Sequence, residues 1–364
     1  MSGDGMSGDG TIGAGGGGTM RAARFDGATR SLTVKDVPIP TPGPSEVLVR
    51  VEACGICLSD VHLIDGTLPA LLPEVTPGHE AAGTIALVGD QVPGWQLGDR
   101  VVMAGGRQCG HCRACVRGRP EECEAFEIMG FNFDGAWAQY VVVPYTGLSS
   151  VPDGIPFEQA AVLADAVSTP YAALTDRAAL RAGESIGLWG IGGLGVHAVQ
   201  VARLVGASPI LALDPLPSAR ERALAIGADH ALDPTADDVV EQVRRLTGGR
   251  MLDVAVDLVG SNQVLAQAAS CLGRFGRCVM VGLSLDPIEL GPWLFFGLQS
   301  QSLLWHLGYR KRHLDELVDL VHAGRLDVSG SISAVMPLDD VVSGVQTLQS
   351  KVGNPIRLVV QPWT

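Results

Sequence analysis

Apolar and polar residues alternate in two different rhythms along the chain. Between Met20 and about Pro144 the apolar runs are short and broken by Gly and Pro: V-L-V-R-V-E-A (47–53), A-G-T-I-A-L-V-G (82–89), D-R-V-V-M (99–103) and A-Q-Y-V-V-V (138–143). Runs of this kind predict an irregular, mostly antiparallel β domain. From about Thr169 the apolar runs are continuous: S-I-G-L-W-G (185–190), P-I-L-A-L-D (209–214), D-V-A-V-D-L-V (253–259) and R-C-V-M-V-G-L (277–283). Helical patterns such as G-V-H-A-V-Q-V-A-R-L-V (195–205) separate them. Strands apolar on both faces, alternating with helices, predict a parallel sheet covered on both sides. After about residue 306 come an amphipathic helix (313–324) and a closing run R-L-V-V-Q-P (357–362), which are expected to return to the first domain.

Residues 1–19 stand apart. M-S-G-D-G occurs twice in tandem and is followed by T-I-G-A-G-G-G-G-T, a composition that buries no core and predicts a flexible leader, with Met20 opening the folded part. The whole chain has 364 residues, 46% apolar and 18% charged, enough for two domains with a large interior. Its net charge of −13 argues against a nucleic-acid partner or an anionic membrane surface. No apolar run approaches the ~18–20 residues that span a bilayer. Eight cysteines, four of them clustered, predict a reduced, cytoplasmic protein. Cys271 and Cys278 lie in apolar runs and are expected to be buried, inert thiols.

The clustered cysteines read C-G-H-C-R-A-C-V-R-G-R-P-E-E-C, placing Cys109, Cys112, Cys115 and Cys123 in a lobe near 105–124. Four thiolates at this spacing suit one tetrahedral zinc ion in a closed, structural site. Two other readings compete. Iron–sulfur proteins use Cys-x2-Cys-x2-Cys, but the ferredoxin run closes with x3 and a Cys-Pro, which is not the pattern here. Two disulfides would need an oxidising compartment, and no signal-peptide core opens the chain.

Gly190, Gly192, Gly193 and Gly195 form G-I-G-G-L-G between the strand S-I-G-L-W and a helix. Asp214 ends the next strand, about 20 residues further on, as a dinucleotide site requires. The glycines permit a tight turn, close approach of a pyrophosphate and helix–strand packing, and the helix N-terminus presents free N–H groups to phosphate. A carboxylate at Asp214 suits the two adenosine-ribose hydroxyls and opposes a 2′-phosphate, so NAD is favoured over NADP. Pro215-Leu216-Pro217 supplies no cation to reverse that preference, although Arg220 is one turn away. A Rossmann domain holding a flavin or no nucleotide is the competing reading.

The remaining candidates are A-C-G-I-C-L-S-D-V-H (53–62), P-G-H-E (77–80) and L-A-D-A-V-S-T-P-Y (163–171). Singly each has a bland explanation: Cys54 and Cys57 as a redox pair, His79 as a core histidine, Asp165 as a helix cap. Together, the order I-C-x-S-D-x-x-H, G-H-E, the four-cysteine lobe and G-x-G-G-x-G resembles the zinc-dependent alcohol dehydrogenases of the medium-chain dehydrogenase/reductase family. The resemblance covers the chain from Met20 onward. It implies an α/β protein with a GroES-like β-rich catalytic domain (20–166 and 307–364) and a doubly wound Rossmann NAD-binding domain (167–306).

The resemblance also implies two zinc ions per subunit: a catalytic ion on Cys57, His79 and Asp165, and a structural ion on the cysteine quartet. Asp60 resembles a partner that orients His79, and Glu80 a residue behind the metal. The proton route runs through Ser59, the nicotinamide ribose and His62. Arg357, in N-P-I-R-L-V-V (354–360), resembles an arginine that contacts the cofactor phosphates. Two positions depart from the common pattern. Asp165 stands where many members have Cys, and Leu58 where relatives often carry a cation. Gly105 replaces a bulky aromatic and suggests extra room, with Leu68 and Trp305 as candidate wall residues.

The implied reaction is hydride transfer between a neutral primary or secondary alcohol and NAD, in a homodimer or homotetramer. A polyol, an amino-acid hydroxyl or a thiol–formaldehyde adduct is the alternative substrate class. A non-catalytic nucleotide-binding protein that keeps the fold is the alternative from another class.

Overall fold

The structure, a computed structural model, describes residues 18–119, 122–290 and 293–364. The leader expected over 1–19 lies outside these residues except at its end, where Gly18 is described and Thr19 already opens the strand Thr19–Asp26. That strand pairs antiparallel along its full length with Ser31–Pro38.

The long strand Glu46–Ile56 organises the first domain. Its Val47, Val49 and Val51 are fully buried, and it is flanked by Ala81–Val88, Tyr140–Pro144 and the C-terminal strand Arg357–Gln361. Ala81–Val88 pairs in turn with Arg100–Met103, and Arg357–Gln361 pairs with Ile332–Pro337. The last strand therefore lies beside the third, with Leu358 opposite Ile56 and Val360 opposite Cys54. The predicted amphipathic helix is Lys311–His322. Its Leu314, Leu317 and Val318 enter one apolar cluster with Ala160, Leu163 and Val102 of this domain.

The second domain is a six-stranded parallel sheet. Its spatial order is His230–Leu232, Ile210–Leu213, Ile186–Trp189, Leu252–Asp257, Leu272–Met280, Ser302–Trp305, with every neighbouring pair parallel. This 3-2-1-4-5-6 order is the doubly wound arrangement, and its crevice opens where the chain direction of winding reverses, at the carboxyl end of Ile186–Trp189. All four residues of that strand and all four of Ile210–Leu213 are buried, which is why both read as unbroken apolar runs.

Between the domains the backbone from Phe157 to Arg177 is helical but not uniformly α. Two π-helical turns, Leu163–Val167 and Ala173–Arg177, interrupt it. Single π turns inside helices accompany functional sites because they re-aim one side chain. The first of these turns carries Asp165.

Candidate active site

Three elements converge on Asp165. The strand Glu46–Ile56 ends at Cys57, whose extended backbone (φ −96°, ψ 155°) starts the helix Leu58–Asp65. His79 lies just before the strand Ala81–Val88. Cys57 Sγ is 3.1 Å from Asp165 Oδ2, and His79 Nε2 is 3.7 Å from the same oxygen. The three ligand atoms lie within 4.8 Å of one another. Tetrahedral zinc with its usual bond lengths separates such atoms by roughly 3.4–3.6 Å, so this donor set fits the metal.

The surroundings match that use. Asp60 is fully buried. Its Oδ1 is 3.2 Å from His79 Nδ1, leaving Nε2 as the ligand atom, while its Oδ2 accepts the Cys57 N–H at 2.9 Å. A carboxylate behind a histidine ligand fixes its tautomer and ring orientation. Thr169 Oγ1 donates to Asp165 Oδ1 at 2.8 Å, freeing Oδ2 to face the cluster. Burial alone would raise Asp165, but His79 and Arg357 hold it well below the usual carboxylate range. Burial opposes a proton on His79, yet Asp60 and Asp165 lift its pKa well above 6.5. The pocket is built to hold positive charge.

Glu80 is buried beneath the ligands, accepting from Ala166 N–H at 2.8 Å, with Oε2 3.4 Å from Arg357 Nε. Burial drives its carboxyl upward and Arg357 pulls it back. Gly55, which the sequence reading passed over, makes this possible: a Cβ there would lie 1.8 Å from Glu80 Oε2. Arg357 is itself only 2% exposed and donates to Ile56 O at 3.1 Å. Among the described residues its Nη2 has no hydrogen-bond partner, and it lies 3.1 Å from where a Cβ on Gly193 would stand. One guanidinium thus spans the gap between the metal ligands and the Gly-rich turn.

The glycines of that turn do different things. Gly190 has φ +90°, which the tight turn needs. A Cβ on Gly195 would lie 2.0 Å from Gly190 O, so this glycine is required by packing. A Cβ on Gly192 would meet nothing within 4 Å, so the backbone there is open to a ligand. Asp214, mostly buried, accepts from Ile191 N–H and Leu216 N–H at 2.8 and 2.9 Å and so braces the turn. Arg220 is tied to Asp214 O, Pro215 O and Asp233.

In the lobe, Cys109, Cys112, Cys115 and Cys123 form a second cluster of ligand atoms within 4.8 Å. Cys112 Sγ and Cys123 Sγ are 4.0 Å apart, close to the ~3.8 Å edge of a tetrahedral zinc–thiolate site. The N–H groups of Cys109 and Cys112 point at Cys123 Sγ and Cys109 Sγ, both at 3.3 Å, as thiolates require.

The comparisons agree with this geometry. Residues 43–153 match the family described as alcohol dehydrogenase GroES-like domain, and residues 193–323 match zinc-binding dehydrogenase. An NAD-dependent alcohol dehydrogenase of Sulfurisphaera tokodaii is 36% identical over 91% of this chain and 97% of its own length. An alcohol dehydrogenase of Geobacillus stearothermophilus is 33% identical over 88% and 94%. The solved alcohol dehydrogenase of Thermus sp. ATN1 superposes with a TM-score of 0.87 at 30% identity, covering 94% and 99% of the two chains. The chain is a zinc-dependent alcohol dehydrogenase of the medium-chain dehydrogenase/reductase family.

This dehydrogenase places the other candidate residues around the ligand cluster and beyond it. At Gly105 a Cβ would lie 2.8 Å from His79 O, and the Gly105 N–H donates to Tyr309 Oη at 2.9 Å. Leu68 packs in a small cluster with Phe25, Leu63, Val75 and Phe131. Trp305 is 45% exposed on the edge strand Ser302–Trp305. Ser59 Oγ lies 3.3 Å from His79 Nε2, and His62 Nδ1 lies 3.9 Å from Asp65 Oδ2. Cys54 is fully buried with its Sγ on Gly55 O, and burial pushes Cys271 and Cys278 up to about 12.

Proposed function

We propose that the chain transfers hydride between a neutral primary or secondary alcohol and NAD, producing the aldehyde or ketone, with one zinc ion on Cys57, His79 and Asp165 and a second on the cysteine quartet. The observation that carries this reading is Arg357, whose side chain reaches both the buried Glu80 under the ligands and the Gly-rich turn. When bound, zinc supplies Lewis acidity toward the alcohol oxygen and NAD accepts the hydride.

The chain's own residues do the rest. Cys57, His79 and Asp165 hold the metal and leave a fourth position for substrate. Asp60 and Thr169 fix the orientation of two of those ligands. Gly192 lets the pyrophosphate approach the turn, the unpartnered Nη2 of Arg357 faces it, and Asp214 takes the adenosine ribose. Ser59 Oγ accepts the alcohol proton as its own hydroxyl proton leaves toward His62, partly exposed and one turn further along the same helix, which exchanges it with solvent. Ser59→Ala should therefore lower turnover by ~10²-fold with zinc content unchanged. Undiminished turnover would remove Ser59 from the proton route.

The edge strand Ser302–Trp305 and the residues before it expose Leu294, Leu298 and Trp305, which supports a homodimer or homotetramer. No described helix is long and apolar enough to cross a membrane. The test is NADH formation by zinc-replete protein with primary, secondary, aromatic and polyol substrates. Chelator-sensitive turnover with NAD, weaker with NADP, is expected. No turnover of any substrate by protein with zinc and NAD bound would favour the non-catalytic alternative.

A further inference from the structure

Tyr309 belongs to the segment that leaves the Rossmann sheet after Ser302–Trp305 and precedes the helix Lys311–His322. It reaches back to the first domain, where its hydroxyl oxygen accepts the Gly105 N–H at 2.9 Å across 204 residues of sequence. A Cβ on Gly105 would lie 3.7 Å from that hydroxyl, 3.5 Å from His79 Cβ and 2.8 Å from His79 O. The glycine thus leaves the place beside a metal ligand to the tyrosine hydroxyl. The ring packs against the cluster containing Leu163 and Leu314 and remains partly exposed. Burial, with the nearby carboxylates of Asp165 and Glu80, holds the phenol well above its usual range, so it stays protonated. Its oxygen already accepts one hydrogen bond, and among the described residues its proton has no acceptor.

A phenol proton with no acceptor among the described residues, on a hydroxyl that shares the Gly105 site with the ligand residue His79, is free to meet a bound substrate. We propose that Tyr309 is a specificity-determining residue that selects alcohols carrying an acceptor oxygen on the carbon next to the carbinol carbon, as 2-alkoxyalcohols and α-hydroxycarbonyl compounds do. The inference rests on the alcohol-oxidising reading above. A substrate with a methylene at that position leaves the phenol proton unpaired in a partly desolvated site, and sites built to hydrogen-bond a substrate discriminate against the analogue lacking the partner.

The test compares 2-methoxyethanol with 1-butanol, which differ by an oxygen in place of a methylene, using zinc-loaded enzyme and NAD. The ratio of kcat/KM for the ether to that for the alkanol should fall ~10-fold on Tyr309→Phe. Calorimetry of the same two alcohols with zinc-loaded, NADH-bound protein, where no turnover occurs, should show the same shift in relative Kd. Wild-type protein alone supplies a second control: 3-methoxy-1-propanol should gain nothing over 1-pentanol. The proposal is overturned if Tyr309→Phe changes both alcohols by one factor, as a purely structural role would. It is equally overturned if the wild type treats the ether and the alkanol alike. If neither alcohol is turned over, the alcohol-oxidising reading fails, and the calorimetric ratio decides the role of Tyr309 by itself.

Discussion

Asp165→Ala is expected to lower kcat/KM by ~10³-fold or more while zinc content falls from two ions per chain to one. The size follows from the role: Lewis-acid stabilisation by a metal supplies several kcal/mol to the transition state, and each ~1.4 kcal/mol is tenfold in rate. The geometry says why two remaining ligands do not suffice. Asp165 Oδ2 is the atom on which Cys57 Sγ (3.1 Å) and His79 Nε2 (3.7 Å) converge, and Thr169 holds the other oxygen at 2.8 Å. Asp165→Cys should restore the second ion, because a thiolate is also a zinc ligand. Metal analysis and steady-state kinetics on both variants check the assignment. Full activity in Asp165→Ala would refute it.

Cys112→Ser should produce the same zinc stoichiometry by the opposite route. Structural zinc contributes on the order of 10 kcal/mol of binding free energy that appears as local folding free energy. Among the described residues, little beyond the cluster holds the lobe: one four-residue helix, Arg113–Val116, and the two-residue strands Gly106–Arg107 and Glu127–Ile128. Val116 (73% exposed) and Phe126 (44% exposed) add little core. Limited proteolysis should therefore cut between 105 and 128 at least ~10-fold faster than in the parent, while the ion on Cys57, His79 and Asp165 is retained. Unchanged protease resistance with one ion lost would show that contacts other than the metal order the lobe.

What the sequence made legible follows from where each signal resides. The parallel sheet was readable because Ile186–Trp189 and Ile210–Leu213 are buried on both faces and so are continuously apolar. The strand Ser31–Pro38 was not, because no residue in it is fully buried and it carries little hydrophobic signal. The cysteine quartet announces itself by local spacing. Cys57, His79 and Asp165 are spread over more than a hundred residues and became a set only through the family resemblance. Thr169 was within reach, since a hydroxyl four residues after a helical carboxylate faces it. Gly55 and Tyr309 were not, since each matters through an atom brought near by the fold: Glu80 Oε2 for one, Gly105 N for the other. The π turn carrying Asp165 leaves no trace in apolar periodicity, because Leu163, Ala164, Ala166 and Val167 around it are all buried and no polar face marks the change of register.

The pairing of Arg357–Gln361 with Glu46–Ile56 also imposes an order of events on synthesis. The guanidinium that meets Ile56 O and Glu80 belongs to a residue translated 301 positions after Ile56. At ~5–20 residues per second, a ribosome takes on the order of tens of seconds to cover that distance. Throughout that interval the nascent chain holds Cys57, His79 and, later, Asp165, but the edge of Glu46–Ile56 has no neighbour on that side and Glu80 lacks its cation. The Gly-rich turn is made well before Arg357 arrives to face it. The reaction centre is thus assembled retroactively, by a strand that emerges after the domain it completes and the domain it bridges to.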